Sequence, residues 1–159
     1  MQIRSFSPDD VDALRAVFQS SVHELGRSFY TPEQLQAWAP QPDDRQAWAL
    51  RLAANQPFVA VLNGQVAGFA DLQASGYVDQ FFVSGAFAGR GVAARLMQHI
   101  LERARQQGLR RVFANVSLAA EGLFAKYGFQ VVARQTVTVR GVALHNARME
   151  KLLTGDPPS

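Results

Sequence analysis

Apolar residues recur at helical spacing early in the chain: Val11, Leu14, Val17, Phe18 and Val22 share one side of a 3.6-residue repeat. The segment before them opens that helix, with Ser7 as N-cap, Pro8 at the first helical position and Asp9 and Asp10 where the helix dipole favours negative charge. A second helix begins at "TPEQLQAW", with Thr31 as cap, and a third at "PDDRQAWALRLAAN", entered through Asp43 or Asp44. The period then shortens. "PFVAVLNGQVAGFADL" gives two strands around Asn63-Gly64, a dipeptide suited to a tight hairpin. "GYVDQFFV" is a further strand, and "QIRSF" at the start of the chain is a short one.

Helical spacing returns after Gly91, where Val92, Leu96, Ile100, Leu101 and Ala104 mark one face and Gly108 ends the helix. "RRVFANV" is a strand, "AAEGLFAKYG" a short helix stopped by Gly128, and a long final hairpin turns at Arg140-Gly141. With no repeat and no linker, the order predicts one domain over residues 1–153, with 154–159 as a flexible tail. The fold class is α/β (α+β), a single mixed sheet with helices on its faces.

Between the strand "VDQFFV" and the helix after Gly91 lies "SGAFAGRG", a loop built for close approach to a ligand. Three ligands compete. A P-loop needs Lys and Ser or Thr after its last glycine, and neither follows Gly91. Gly89, Gly91 and Ala94 spell the dinucleotide pattern G-x-G-x-x-A. However, the glycines stand too far from the strand, and the next strand ends in Asn115 and Ser117 with no ribose-binding acid. A pyrophosphate held by the loop and the free N–H groups of the helix start fits better. Arg90 and Arg95 supply charge, and the small Ala93 and Ala94 admit the ligand to the first turn.

Composition narrows the setting. The chain has 159 residues and no cysteine, which excludes disulfides, thiolate nucleophiles and cysteine metal sites. The three histidines are too far apart in sequence for a metal motif. The net charge of +3 is small. Its arginines gather at Arg90, Arg95, Arg103, Arg105, Arg110 and Arg111, which favours a local anionic ligand over nucleic acid. The opening residues lack the pattern of a signal peptide, and no apolar run reaches membrane-spanning length. The expectation is a cytoplasmic protein without nucleic-acid or membrane partners, with a homodimer left open.

"AGRGVA", Ala88 to Ala93, resembles the [QR]-x-x-G-x-[GA] signature of the GNAT superfamily of acyl-CoA-dependent N-acetyltransferases. Ala88 departs from its first position. "SLAAEGLFAKYGF" is similar to the family segment N-x-x-A-x-x-x-Y-x-x-x-G-F, with Ser117 at the Asn position, Ala120 matching, Phe124 in place of Tyr, and Gly128-Phe129 matching. "SVHELGRSFYTPEQLQAWAP" and "RQTVTVRGVALHNARMEK" resemble a bacterial YafP-like subgroup. The resemblance implies a mostly antiparallel central sheet, acetyl-CoA as co-substrate and transfer of its acetyl group to a primary amine; the apolar, aromatic N-terminal region points to a small acceptor. The strand "VDQFFV" should splay from "RRVFANV" and admit the pantetheine arm. Phe81, Phe82 and Val83 would bind that arm through backbone groups, and one of their N–H groups would polarise the thioester carbonyl. Gly89, Arg90, Gly91, Val92, Ala93 and Ala94 would take the pyrophosphate. Ser117 would bind the arm, and Phe124 would pack against it.

An amine nucleophile must lose a proton. Asp79 should share a strand face with Phe81 and Val83. There it serves as a base whose pKa is raised by burial, as an anchor for a cationic amine, or as a solvated carboxylate. His23 and Tyr30 lie in the region that covers the acceptor in this superfamily, and histidine as a residue type suits the role of base. Trp38 and Trp48 are expected in the core or on an acceptor pocket. Phe124 cannot protonate the leaving thiolate as the family Tyr does, so the acid is a hydroxyl from elsewhere, such as Tyr30, or there is no dedicated acid; the rival reading is a CoA-binding module without catalysis.

Overall fold

The computed structural model describes residues 1–153, so the expected tail at 154–159 lies outside the described residues. Strand β1 (Gln2–Ser5) leads into a 3-10 turn at Pro8–Asp10 and helix α1 (Val11–Ser20). The Asp10 carboxylate accepts the Ser7 N–H at 2.8 Å and both terminal nitrogens of Arg4 at 2.8 Å, which ties β1 to the helix start. The helical path continues through a π-helical turn at Ser21–Leu25 and a 3-10 turn at Gly26–Ser28. Helix α2 (Pro32–Trp38) carries the Thr31 cap, reciprocated by Gln34. Helix α3 (Arg45–Asn55) is capped by Asp44, whereas Asp43 pairs with Arg15.

Strands β2 (Phe58–Leu62) and β3 (Gln65–Ala70) form the first hairpin. Asn63 and Gly64 both have positive φ, 53° and 74°, as a two-residue turn matched to strand twist requires. The stretch expected as one strand divides in two. Strand β4 (Tyr77–Val78) runs parallel to β6 (Arg111–Ser117), while β5 (Phe81–Val83) runs antiparallel to β3. Strands β7 (Gln130–Val139) and β8 (Val142–Leu152) complete the set. The single sheet predicted from the sequence is therefore two four-stranded sheets, β1-β2-β3-β5 and β4-β6-β8-β7, parting at Asp79–Gln80. Every pairing except β4 with β6 is antiparallel.

Helices cover both faces. Helix α4 (Val92–Gln106) buries Leu96, Met97 and Ile100 with Ala60, Ala67 and Ala70. On the other face Leu14, Phe18, Trp48 and Leu52 of α1 and α3 pack with Val59 and Phe69. Trp48 is a core residue, stacked on Phe18 at 5.0 Å with its Nε1 donating to the Val11 carbonyl at 3.1 Å. Gly68 lets α4 approach closely: a Cβ there would stand 2.9 Å from the Phe82 carbonyl and 3.0 Å from Val92 Cγ1. A short helix, α5 (Glu121–Lys126), follows β6. Among the described residues no helix is long and apolar enough to cross a membrane.

Candidate active site

The parting of the sheets opens a cleft of about 310 Å³ between β5 and the segment that follows β6. Phe81, Phe82, Val83, Gly89, Gly91, Val92, Ala93, Ala94 and Ser117 line it, so most of the expected cofactor residues meet there. Arg90 is exposed and outside the lining, at the rim beside Gly89 and Gly91. Gly91 is the N-cap of α4 with φ of 82°, and Gly89 has φ of 75°. Arg95 is the first residue of α4 to donate back along the helix, to Gly91 at 3.1 Å. The N–H groups of Val92, Ala93 and Ala94 thus have no helical acceptor and form the positive end of the helix dipole.

The approach to that loop is pinned to the helical layer. The Gly85 N–H donates to Ser20 Oγ at 2.9 Å, and the Ser20 hydroxyl in turn donates to Glu24. A Cβ on Gly85 would collide with the Glu24 carboxylate. The π-helical turn that carries Glu24 thereby braces the loop between β5 and α4.

The ladder to β3 sorts the residues of β5. The backbone N–H of Asp71 donates to the Gln80 carbonyl at 3.1 Å and that of Ser84 to the Ala67 carbonyl at 2.8 Å, with Phe82 opposite Phe69 between them. In an antiparallel ladder alternate residues bond alternate edges. The polar backbone of Phe81 and Val83 therefore points to the open edge, toward β6. Phe82 instead contributes its ring, 4.8 Å from Phe18 and 6.1 Å from Trp38.

A second cavity, of about 140 Å³, adjoins the cleft and shares Trp38, Phe82 and Ser117 with it. Tyr30, Asp79, Asn115, His145 and Asn146 also line it, with apolar walls from Phe18, Val137, Val139 and Leu144. Asp79 departs from the expected face. The alternation breaks where the chain changes sheets, and its carboxylate turns to α3, taking Arg51 Nε at 3.0 Å and Asn55 Nδ2 at 2.8 Å. Burial is the largest single influence and would raise its pKa, but the bonds from Arg51 and Asn55 together outweigh it and leave the pKa below the ordinary value. The raised pKa expected of a buried base is thus corrected to that of a paired carboxylate.

Tyr30 lines the second cavity, but its hydroxyl is occupied. It donates to the His145 carbonyl at 2.7 Å and accepts the Leu118 N–H at 3.0 Å, joining the loop before α2 to β8 and to the end of β6. Burial raises its pKa, which holds its proton in place. His23 lines neither cavity; its Nε2 lies 2.7 Å from the Ala39 carbonyl and anchors the π-helical turn to the end of α2. The structure does not bring it to the site as a base.

Phe124 is buried beneath the cleft, with its ring 5.4 Å from Phe81 and 5.0 Å from Phe129. It borders a small void with Asp79, Phe81 and Ser117, so it packs against the gap where the family Tyr would offer a hydroxyl. The Ser117 hydroxyl accepts the Ala120 N–H at 3.2 Å, which leaves its own proton free to donate. Sequence reasoning missed Arg51 and Asn146 as site residues. Asn146 stands opposite Ser117 across the β6–β8 ladder, and its Oδ1 is buried without a hydrogen-bond partner. Only the strand register, which pairs Ser117 with Asn146, reveals it.

Residues 27–153 match the family model described as an acetyltransferase (GNAT) domain. The chain is 33% identical over 149 residues to an uncharacterized N-acetyltransferase, YafP, of Escherichia coli K12, covering 94% of each chain. The crystal structure of a GCN5-related N-acetyltransferase from Rhodopseudomonas palustris superposes with a TM-score of 0.91 at 32% identity, over 96% of this chain and 95% of that one. A putative acetyltransferase, yncA, from Salmonella typhimurium, solved with its cofactor acetyl-CoA, has a TM-score of 0.71 at 20% identity, over 100% and 97% of the two chains, a likeness of fold.

Proposed function

Because the chain belongs to the GNAT acetyltransferase family and is an N-acetyltransferase, we propose that its cleft holds acetyl-CoA and its second cavity a small primary amine. The observation that carries this reading is the meeting of the two spaces at Trp38, Phe82 and Ser117. A donor laid along the cleft and an acceptor in the cavity confront each other there.

In this reading the pyrophosphate rests on the free N–H groups of Val92, Ala93 and Ala94, with Arg90 reaching it from the rim. The pantetheine amides pair with the outward backbone of Phe81 and Val83, as an added strand would. Phe124 supports the arm from below. The bound ammonium first gives a proton to water; the lone pair so freed attacks the thioester carbonyl carbon, and a backbone N–H of β5 steadies the oxyanion. The C–S bond then breaks, the thiolate leaves as CoA, and the amine proton passes to water. Ser117 is placed to donate a hydrogen bond to the arm. Asp79 anchors the cationic amine rather than deprotonating it, because the bonds from Arg51 and Asn55 lower its pKa and leave it a weak proton acceptor. Asn146 Oδ1, buried and unpartnered, accepts an amine hydrogen. Tyr30 shapes the wall. The setting is cytoplasmic.

The test is CoA release from acetyl-CoA across a panel of small primary amines, with the product identified by mass. Turnover with one or more amines is the expected result. The rival, a CoA-binding module without catalysis, draws on the hydroxyl missing at Phe124. Tight acetyl-CoA binding with no transfer to any amine would establish it.

A further inference from the structure

The strand break that opens the cleft has a built cause. Where β4 passes into β5, the N–H groups of Asp79 and Gln80 leave one sheet before joining the other. Asp71, just past the end of β3 and wholly buried, accepts both, from Asp79 at 2.9 Å on Oδ1 and from Gln80 at 2.8 Å on Oδ2. Gln73 Nε2 adds a third bond to Oδ1 at 2.8 Å. No neighbouring strand can do this, since successive N–H groups of a regular strand point to opposite edges. A carboxylate can, because its two oxygens fork toward two adjacent donors.

The arrangement is costly. Asp71 has no cationic partner among the described residues, and an unpaired buried carboxylate is strongly disfavoured unless its oxygens are fully bonded. On either side of the clasp the register is firm, Val78 opposite Ala114 in one sheet and Phe81 opposite Ala70 in the other. The clasp therefore sets where the free edge of Phe81 stands relative to β6 and Ser117.

We propose that Asp71 is a positioning residue for acetyl transfer: by clasping the Asp79 and Gln80 N–H groups it fixes the strand break and aligns β5 with the acyl donor. This role rests on the reading of the cleft as the acetyl-CoA site. Asp71 touches neither substrate. It acts through the backbone of β5, where a displacement on the order of 1 Å lowers a rate by about 100-fold.

Asp71→Asn keeps the shape and replaces one accepting oxygen by a donor that faces an N–H. The experiment measures steady-state kinetics, melting temperature and backbone amide NMR of the parent and D71N. The expected result is a folded variant whose kcat falls roughly 10- to 100-fold, with KM for the amine within about twofold. The amide resonances of Asp79 and Gln80 should both shift. A kcat within about twofold of the parent, a loss explained by the unfolded fraction, or unchanged Asp79 and Gln80 amides would overturn the role. If D71N does not fold, hydrogen exchange in the parent decides. Slow exchange at both N–H groups supports the clasp, and fast exchange at either overturns it. A parent that binds acetyl-CoA but never turns over sinks the functional reading, and the D71N amide shifts then still report on the clasp itself.

Discussion

Asp79 sits where the chain passes from one sheet to the other, on the wall of the second cavity. Its carboxylate is held by Arg51 and Asn55, and its pKa lies below the ordinary value. For an acid with a depressed folded-state pKa, the stabilisation is complete above the unfolded value of about 3.9 and is lost as pH falls through the folded value. Asp79→Asn should therefore flatten the acid limb of stability against pH, read from urea midpoints, while costing less than about 1 kcal/mol at neutral pH because the Arg51 side chain is half exposed to screening solvent. As an anchor, Asp79 should affect KM for the amine, roughly tenfold in the variant, more than kcat. A collapse of kcat at unchanged KM would return it to the role of base. Gly91 offers a second test. Its φ of 82° makes any side chain strained by about 1–2 kcal/mol, yet the space around its Cβ is open. Gly91→Ala and Gly91→Asp should lose similar stability, but calorimetry should show that only the aspartate abolishes acetyl-CoA binding, by placing negative charge at the pyrophosphate.

Elements formed by local chemistry were legible in the chain, and those formed by competition between partners were not. Ser7, Thr31 and Asp44 cap their helices through bonds to residues two or three positions away, and Asn63-Gly64 turns its hairpin on its own dihedrals. By contrast, "GYVDQFFV" is uniformly suited to a strand, and nothing within it tells that Tyr77–Val78 pair with β6 and Phe81–Val83 with β3. The acid that enforces the break lies eight residues upstream, where it reads as an ordinary strand-end aspartate. The contact of α4 with β3 depends on another small feature. Gly68→Ala would bring a methyl against the Phe82 carbonyl and Val92, displacing the start of α4. The expected cost is about 1–3 kcal/mol, measured by denaturant unfolding, with weaker acetyl-CoA binding because the free N–H groups move with the helix.

For the molecule as a whole, the cofactor should act as a clamp. The cleft is bounded by β5 from one sheet and by the segment after β6 from the other, so a ligand bound along it bridges both. Acetyl-CoA at about 100 times its Kd should add about 2.7 kcal/mol. For a chain of this size that raises Tm by roughly 5–10 °C in a thermal scan. Gly91→Asp should remove the shift. A parent protein whose Tm does not respond to acetyl-CoA would contradict the placement of the donor.

The amino-acid order alone determined the helices and most of the strands, the glycine loop, the two family segments and hence the kind of donor. These depend on neighbours within a turn or two of chain, and their periodicity and caps are written locally. Tertiary structure decided the rest. It split one apolar strand between two sheets, turned Asp79 to Arg51, occupied the Tyr30 hydroxyl, drew His23 to Ala39 and set Asn146 beside Ser117. Each of those outcomes depends on which distant partner wins a buried polar group, and such a group must be satisfied wherever the packed chain places it.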